Sequence, residues 1–193
     1  MRLSDLTRWL VACMLAGFGT GAIGQSVPSF LYNDGTFNTF TVPGAYITAA
    51  YDISGGYVVG FLSDSKGAHG FIYSNGTFKD IIVPGSIQGV AYGVNSAGHA
   101  VGVSSTTYQG DFTSFLYVNG TLTPYGVPGA SRTWAYDINN AGNIVGNYDV
   151  CGPMECVEHG FLDVNGTFTN IDVPNLSGAT RPHGINDAGR IVG

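Results

Sequence analysis

The chain has 193 residues, only 10% of them charged, with 30 glycines, an apolar share of 44% and a net charge of −6. That acidic balance argues against a nucleic-acid binder, whose phosphate contacts need clustered Lys and Arg. The apolar share can supply a core, which disfavours disorder, and abundant Gly with aromatics fits short strands and tight turns better than helices.

The first element is a leader. Arg2 and Arg8 flank a weakly charged start, Trp9–Phe18 is an apolar run, and small residues follow to Gly24. This is the pattern of a secretory signal peptide over residues 1–24, with a mature β-repeat domain over 25–193 starting near Gln25. Ten apolar residues span only about 15 Å as a helix, too short for a hydrocarbon core of about 30 Å, so no transmembrane anchor is expected. Leu10-Val11-Ala12-Cys13 resembles a lipoprotein cleavage box, which makes lipidation at Cys13 the alternative. Losing Arg2, Arg8 and Asp5 leaves 5 basic and 12 acidic side chains, net −7. The expected location is secreted, extracellular or periplasmic. Cys151 and Cys156 then form an even pair, expected as a disulfide worth about 2 kcal/mol for so short a loop. No further ligands stand at zinc spacing, so no metal site is read there.

From residue 29 onward the chain repeats a two-part phrase. The first part reads SFLYNDGTFNTFTVP from Ser29, GFIYSNGTFKDIIVP from Gly70, SFLYVNGTLTPYGVP from Ser114 and GFLDVNGTFTNIDVP from Gly160. The second reads AYDISGGYVVG from Ala50, AYGVNSAGHAVG from Ala91, AYDINNAGNIVG from Ala135 and HGINDAGRIVG from His183. Phe30, Phe71, Phe115 and Phe161 mark periods of 41, 44 and 46.

Each copy is expected to hold four strands. Asn75-Gly76, Asn119-Gly120, Asn165-Gly166 and Asp34-Gly35 supply the two positive-φ positions of a type I′ hairpin turn. Val-Pro-Gly at 42–44, 83–85 and 127–129 has the residues of a type II turn, and Asn175 replaces Gly in the last copy. The other strand pair surrounds the Asn-x-Ala-Gly corner: Tyr51–Ser54 with Tyr57–Phe61, Tyr92–Asn95 with His99–Val103, Ala135–Asn139 with Asn143–Tyr148. Strands such as Phe71-Ile72-Tyr73 are apolar on both faces and need cover on both sides. Four strands per copy of this length predict an all-β fold, a β-propeller or propeller-like array, ahead of a β-helix or a sandwich.

His-Gly-Phe-Leu, Asn-Gly-Thr-Phe, Val-Pro, Gly-Ile-Asn-x-Ala-Gly and Ile-Val-Gly together resemble the HAF repeat of predicted extracellular bacterial proteins. The namesake tripeptide stands here as His69-Gly70-Phe71 and His159-Gly160-Phe161, and as Thr113-Ser114-Phe115 in the third copy. The resemblance covers residues 29–193 and implies an exported repeat protein, with no catalytic residues to carry over.

Copy length grows mainly in one place. From the Gly after each fourth strand to the next Phe the distances are 11 (60 to 71), 13 (102 to 115) and 15 (146 to 161). Such insertions gather on one face of a repeat array, often the binding face. The stretches 62–69, 103–113 and 147–159 therefore nominate Asp64, Tyr108, Asp111, Phe112, Tyr148, Asp149, Glu155 and Glu158 as ligand-binding candidates. Acids among aromatics suit a carbohydrate or cell-surface ligand and could hold Ca²⁺, although ordinary solvated loops have the same composition. Asp52 and Asp137 recur at the copy period, as do His69 and His159, so repetition explains them without catalysis. The turn requirement likewise explains the sequons at Asn75, Asn119 and Asn165. No nucleophile-elbow, zincin or phosphate-loop signature is present. The expected function is a secreted, non-enzymatic binding or surface-interaction module. The alternative is an exported glycan hydrolase or lyase using these carboxylates. Because Ile191-Val192-Gly193 stops where earlier copies continue, the chain is expected to be a fragment of a longer repeat protein, with closure into a four-bladed ring as the alternative.

Overall fold

The turns set the register of everything else. In the computed structural model, which describes residues 26–108, 111–175 and 178–193, every Asn-Gly or Asp-Gly corner has two consecutive positive φ values. Asn75 and Gly76, for example, lie at 48° and 78°, and Asp34 and Gly35 at 49° and 82°. This is the type I′ geometry, whose twist matches paired strands. At the Val-Pro-Gly corners Gly44, Gly85 and Gly129 take φ of 83°, 80° and 80°, and Asn175 follows at 60°. The first three corners are closed by N–H groups of Ala45, Ser86 and Ala130 donating to the Val carbonyls. The leader 1–24 and Cys13 lie outside the described residues.

Between these corners stand sixteen strands, with no helix among the described residues. β1 (Ser29–Asn33) and β2 (Thr36–Phe40) form a hairpin. β3 (Ile47–Ser54), β4 (Tyr57–Asp64), β5 (Gly67–Ser74) and β6 (Thr77–Ile81) form an antiparallel meander. A second consists of β7 (Gln88–Val94), β8 (Ala100–Ser105), β9 (Phe112–Val118) and β10 (Thr121–Tyr125). The third is β11 (Arg132–Ile138), β12 (Ile144–Cys151), β13 (Cys156–Val164) and β14 (Thr167–Asn170). β15 (Gly184–Ile185) and β16 (Ile191–Val192) make a final hairpin. Each meander joins the second phrase of one copy to the first phrase of the next. One parallel pairing, Ala68 with Gln88, links the first two meanders into an eight-stranded sheet. β1–β2 and β15–β16 are separate two-stranded sheets, so the described strands do not close into a ring. Among the described residues no helix is long and apolar enough to cross a membrane.

The core lies between successive units. Val59, Ile72 and Ile81 of the first meander pack with Ala91, Val94, Ala100 and Phe115 of the second. Val101 of the second packs with Ala135, Ile138, Ile144 and Phe161 of the third. Leu31 and Phe40 of the first hairpin lie against Val58, Leu62 and Phe71. Each buried Phe contributes roughly 2–3 kcal/mol through lost apolar exposure.

Two expectations change. The first strand of each meander starts earlier than the repeated phrase, at Ile47, Gln88 and Arg132. The stretches expected as loops are largely strand, because in-register pairing continues to Asp64↔Gly67 in one hairpin and Cys151↔Cys156 in another. Between those hairpin strands only residues 65–66 and 152–155 remain as loop, while β8 ends at Ser105 and β9 begins at Phe112.

Candidate functional site

Every meander's first strand carries a β-bulge opposite a glycine. The register slips between Ala50 and Asp52, Ala91 and Gly93, and Ala135 and Asp137. A Cβ on Gly60, Gly102 or Gly146 would lie 1.9, 2.0 or 1.9 Å from the carbonyl oxygen of Ala49, Val90 or Trp134. The glycine that ends each Val-Gly or Ile-Val-Gly phrase is thus a requirement of the bulge. The extra residue is Tyr51, Tyr92 or Tyr136, with His183 in the same place in the last hairpin. Their rings form a row, with centroids 5.7, 5.4 and 4.7 Å apart. Tyr51 and His183 are exposed, whereas Tyr92 and Tyr136 are half-buried. Burial pushes the Tyr136 phenol up to about 12 and raises those of Tyr51 and Tyr92, so the three phenols are neutral at physiological pH. Burial and the Arg181 charge lower the His183 imidazole.

The carboxylates beside the bulge hold successive units together. Asp52 accepts the N–H of Ile53 and, from the next meander, that of Val94, both at 2.8 Å. Asp137 does the same with Ile138 and Ile185, at 2.8 and 2.7 Å. A Cβ on Gly93 would lie 2.7 Å from Asp137 Cα, so the glycine there leaves room for the Asp137 backbone. The Asn of the next corner adds a ladder: Asn95 Nδ2 donates to the Asn139 carbonyl, and Asn139 Nδ2 to that of Asn186. With both oxygens of Asp52 and Asp137 engaged, neither is placed for acid–base chemistry.

A charged group sits where the third meander meets the last hairpin. Arg181 grips Glu158 with Nε to Oε1 and with Nη2 to Oε2 at 2.7 Å. Asn147 Nδ2 donates to the same Oε1 at 2.7 Å, while Asn147 Oδ1 is buried without a hydrogen-bond partner in the described structure. Asp149 pairs with Glu158 across the strands, and Arg132 Nη2 donates to Asp149 Oδ2. The Arg132 guanidinium also lies 5.3 Å from the Trp134 ring centroid. Burial raises the Asp149 carboxyl, outweighing the Arg132 charge beside it. The bond to Glu158 raises Arg181 further.

The candidate residues divide among these surroundings. Asp149 and Glu158 come together, but each is committed to an arginine, so a Ca²⁺ ion would have to displace a guanidinium. Tyr148 projects on the opposite face of the same sheet and stacks on His159, their centroids 5.3 Å apart. Asp64 accepts the Lys66 N–H and neighbours the buried His69, whose other side faces Asp80. Tyr108 and Asp111 are exposed and Phe112 is half-buried in the β8–β9 region, while Glu155 is exposed between the two cysteines. Among the described residues no hydrogen bond or ion pair links Asp64, Asp111 or Glu155 to the charged group. Cys151 and Cys156 are joined by a disulfide, S–S 2.07 Å. Their sulfurs lie near Asp149, but bonded sulfurs are no thiolate ligands. The Asp172 carboxylate accepts from His159 Nδ1 at 2.7 Å, a local tie between β13 and the segment after β14.

Arg132, Trp134, Tyr136, Asn147 and Arg181 were not singled out by sequence. A signal for three positions did exist. Aligned by strand register, Asn147, Glu158 and Arg181 occupy the places of Phe61, Ala68 and Val90, which form one buried cluster at the first joint. Polar residues at positions apolar in another copy mark a changed environment. No family model, curated protein or solved structure matches the chain.

Proposed function

We propose that this chain is a secreted, non-enzymatic binding module: a propeller-like array of HAF-type repeats whose row of rings engages a carbohydrate or other cell-surface ligand. The row Tyr51–Tyr92–Tyr136–His183 carries the proposal. Aromatic faces accept the C–H faces of sugars, and neutral phenols offer both a donor and an acceptor to hydroxyl groups. Arg132 and Arg181, already tied to carboxylates, give the end of the row fixed planar polar groups without free net charge. Export is supported by the leader pattern and by the Cys151–Cys156 disulfide, a bond that persists in oxidising surroundings.

A glycan array probed with the mature chain tests this. Tyr51→Ala removes an exposed ring and is expected to weaken any hit at least tenfold without altering the fold. Retention of full affinity by that variant would remove the row from the binding surface. One observation favours a second function, glycan hydrolysis or elimination: Asp149, its carboxyl raised by burial, pairs across the strands with Glu158. Product analysis on each array hit separates the two. Turnover that disappears in Asp149→Asn would replace the binding proposal with the enzymatic one.

A further inference from the structure

The Cys151–Cys156 disulfide has no counterpart in the other copies, whose hairpins carry no cysteine. It closes the last rung of the β12–β13 ladder, which runs one pair beyond the ladder of β4 and β5. The bond is not needed to hold that end together. Val150 and Val157 are paired one rung inward, and across the turn the Gly152 N–H donates to the Glu155 carbonyl at 2.8 Å. Both cysteines are exposed, so a nucleophile reaches them without opening the sheet. Exposed disulfides are the ones open to exchange, whereas structural ones resist reduction.

The two sulfurs differ in their surroundings. Arg132 Nη2, which donates to Asp149 Oδ2, also lies 3.9 Å from Cys156 Sγ. Cys151 meets Ser131 instead, its backbone N–H donating to Ser131 Oγ at 3.1 Å, and among the described residues no cation is hydrogen-bonded to its sulfur. A guanidinium beside a sulfur favours its thiolate, and the sulfur that leaves more readily as thiolate decides which of the two is attacked. The other charges do not discriminate in this way. Asp149 opposes negative charge at both sulfurs, since one of its oxygens and the two Sγ atoms lie within 4.8 Å of one another. Glu155 is exposed and screened by water, and Glu158 is held by Arg181.

We infer that Cys151–Cys156 is a thiol–disulfide exchange site for small aliphatic thiols, with Cys151 the sulfur attacked and Cys156 the leaving group held by Arg132. An incoming thiolate bonds to Cys151 Sγ as the bond between the two cysteines breaks, and the electron pair leaves on Cys156. A second thiolate attacks the foreign sulfur of this mixed disulfide and releases Cys151. Two thiols are thereby oxidised to one disulfide, and their two protons pass to Cys151 and Cys156. Asp149 is a positioning residue. It holds the guanidinium beside Cys156 and, by its own charge, limits how far the thiolate is stabilised.

Glutathione added to the mature protein is the probe. Reduction is expected to stay first order in glutathione at every concentration. Acid quenching after limited reaction, followed by peptide mapping, should find glutathione on Cys151 in at least tenfold excess over Cys156. Arg132→Leu should abolish that preference and slow the first step at least threefold, with Arg132→Lys recovering part of the rate. Asp149→Asn keeps an acceptor for Arg132 but loses the charge, and should instead speed the step several-fold. The opposite signs matter, because a hairpin merely loosened by substitution would be reduced faster in both variants. A rate that levels off at high glutathione would mean that the sulfurs are reached only through unfolding, and would overturn the inference. Glutathione spread evenly over the two cysteines, or found mainly on Cys156, would do the same, as would faster reduction of Arg132→Leu.

Discussion

The joint between the first and second meanders and the joint between the third meander and the last hairpin use the same three positions with opposite chemistry. At the first, Phe61, Ala68 and Val90 form a buried apolar cluster, 3%, 7% and 3% exposed. At the second, Asn147, Glu158 and Arg181 form a hydrogen-bonded ionic group. The apolar joint is held by burial, roughly 3–5 kcal/mol from Phe61 and Val90 together, and is indifferent to which apolar partner arrives. The ionic joint gains little net stability, because desolvation of the charges offsets most of their attraction. What it supplies is selectivity: Arg181 docked on Phe61 and Ala68 would be a charge without a partner. The two joints teach that a repeat can keep its backbone while changing the rule by which neighbours are accepted.

The largest break in this comparison is Val90→Arg, which puts an unpaired charge into the apolar joint. A loss of about 4 kcal/mol or more in urea unfolding is expected. The triple variant Phe61→Asn, Ala68→Glu, Val90→Arg rebuilds the ionic group at the first joint and should recover more than half of that loss. Failure to recover would show that the ionic arrangement depends on more than these three positions. Next comes Arg181→Leu, which strands Glu158 and should cost about 2–4 kcal/mol, discounted because the two side chains are 25% and 19% exposed. Reduction of Cys151–Cys156 opens the hairpin two pairs beyond the Asp149↔Glu158 pair. It should cost about 2 kcal/mol, read as a lower urea midpoint in reductant.

The smallest effect is on pH dependence. Burial raises the folded-state carboxyl of Asp149 above its unfolded value, so the stability this group contributes is fully present below the unfolded value and lost as pH rises through the folded one. Asn keeps an acceptor for Arg132 and does not titrate. Wild type should therefore be favoured over Asp149→Asn most below the ordinary carboxylate range, with the advantage shrinking as pH rises above that range. Asp172 acts in the opposite sense. Burial would raise it, but bonds from His159, Gly160 and Asn170 together hold it low, so its contribution is lost as pH falls. The comparison is therefore made between the two variants at each pH, where Asp172 cancels.

How much of this was legible in sequence follows from what repeated and what varied. The Asn-Gly and Val-Pro-Gly corners were legible because positive φ restricts the residue choice, and the structure has that conformation at each of them. The starts of the first strands were not, because their opening residues Ile47, Gln88 and Arg132 share no chemistry and carry no repeat signal. The stretches expected as loops became strand for the same reason: cross-strand pairing at Asp64↔Gly67 and Cys151↔Cys156 is a backbone matter that varied side chains conceal. The acids Asp149 and Glu158 were found, but as free loop groups, since their arginine partners come from β11 and from the segment before β15. Only alignment of the copies in strand register exposes Arg181 as the replacement of Val90.

Native-state hydrogen exchange at low and high NaCl tests the two-joint account most directly. At the ionic joint the reporters are the amides of His183, bonded to the Val192 carbonyl, and Ile185, bonded to Asp137. At the apolar joint they are those of Val90 and Val94, the first in the β7–β8 ladder and the second bonded to Asp52. Screening of the partly exposed ion pairs predicts that 1 M NaCl lowers protection at His183 and Ile185 several-fold and leaves Val90 unchanged or better protected. Equal loss at both joints, or loss confined to the apolar one, would contradict the account.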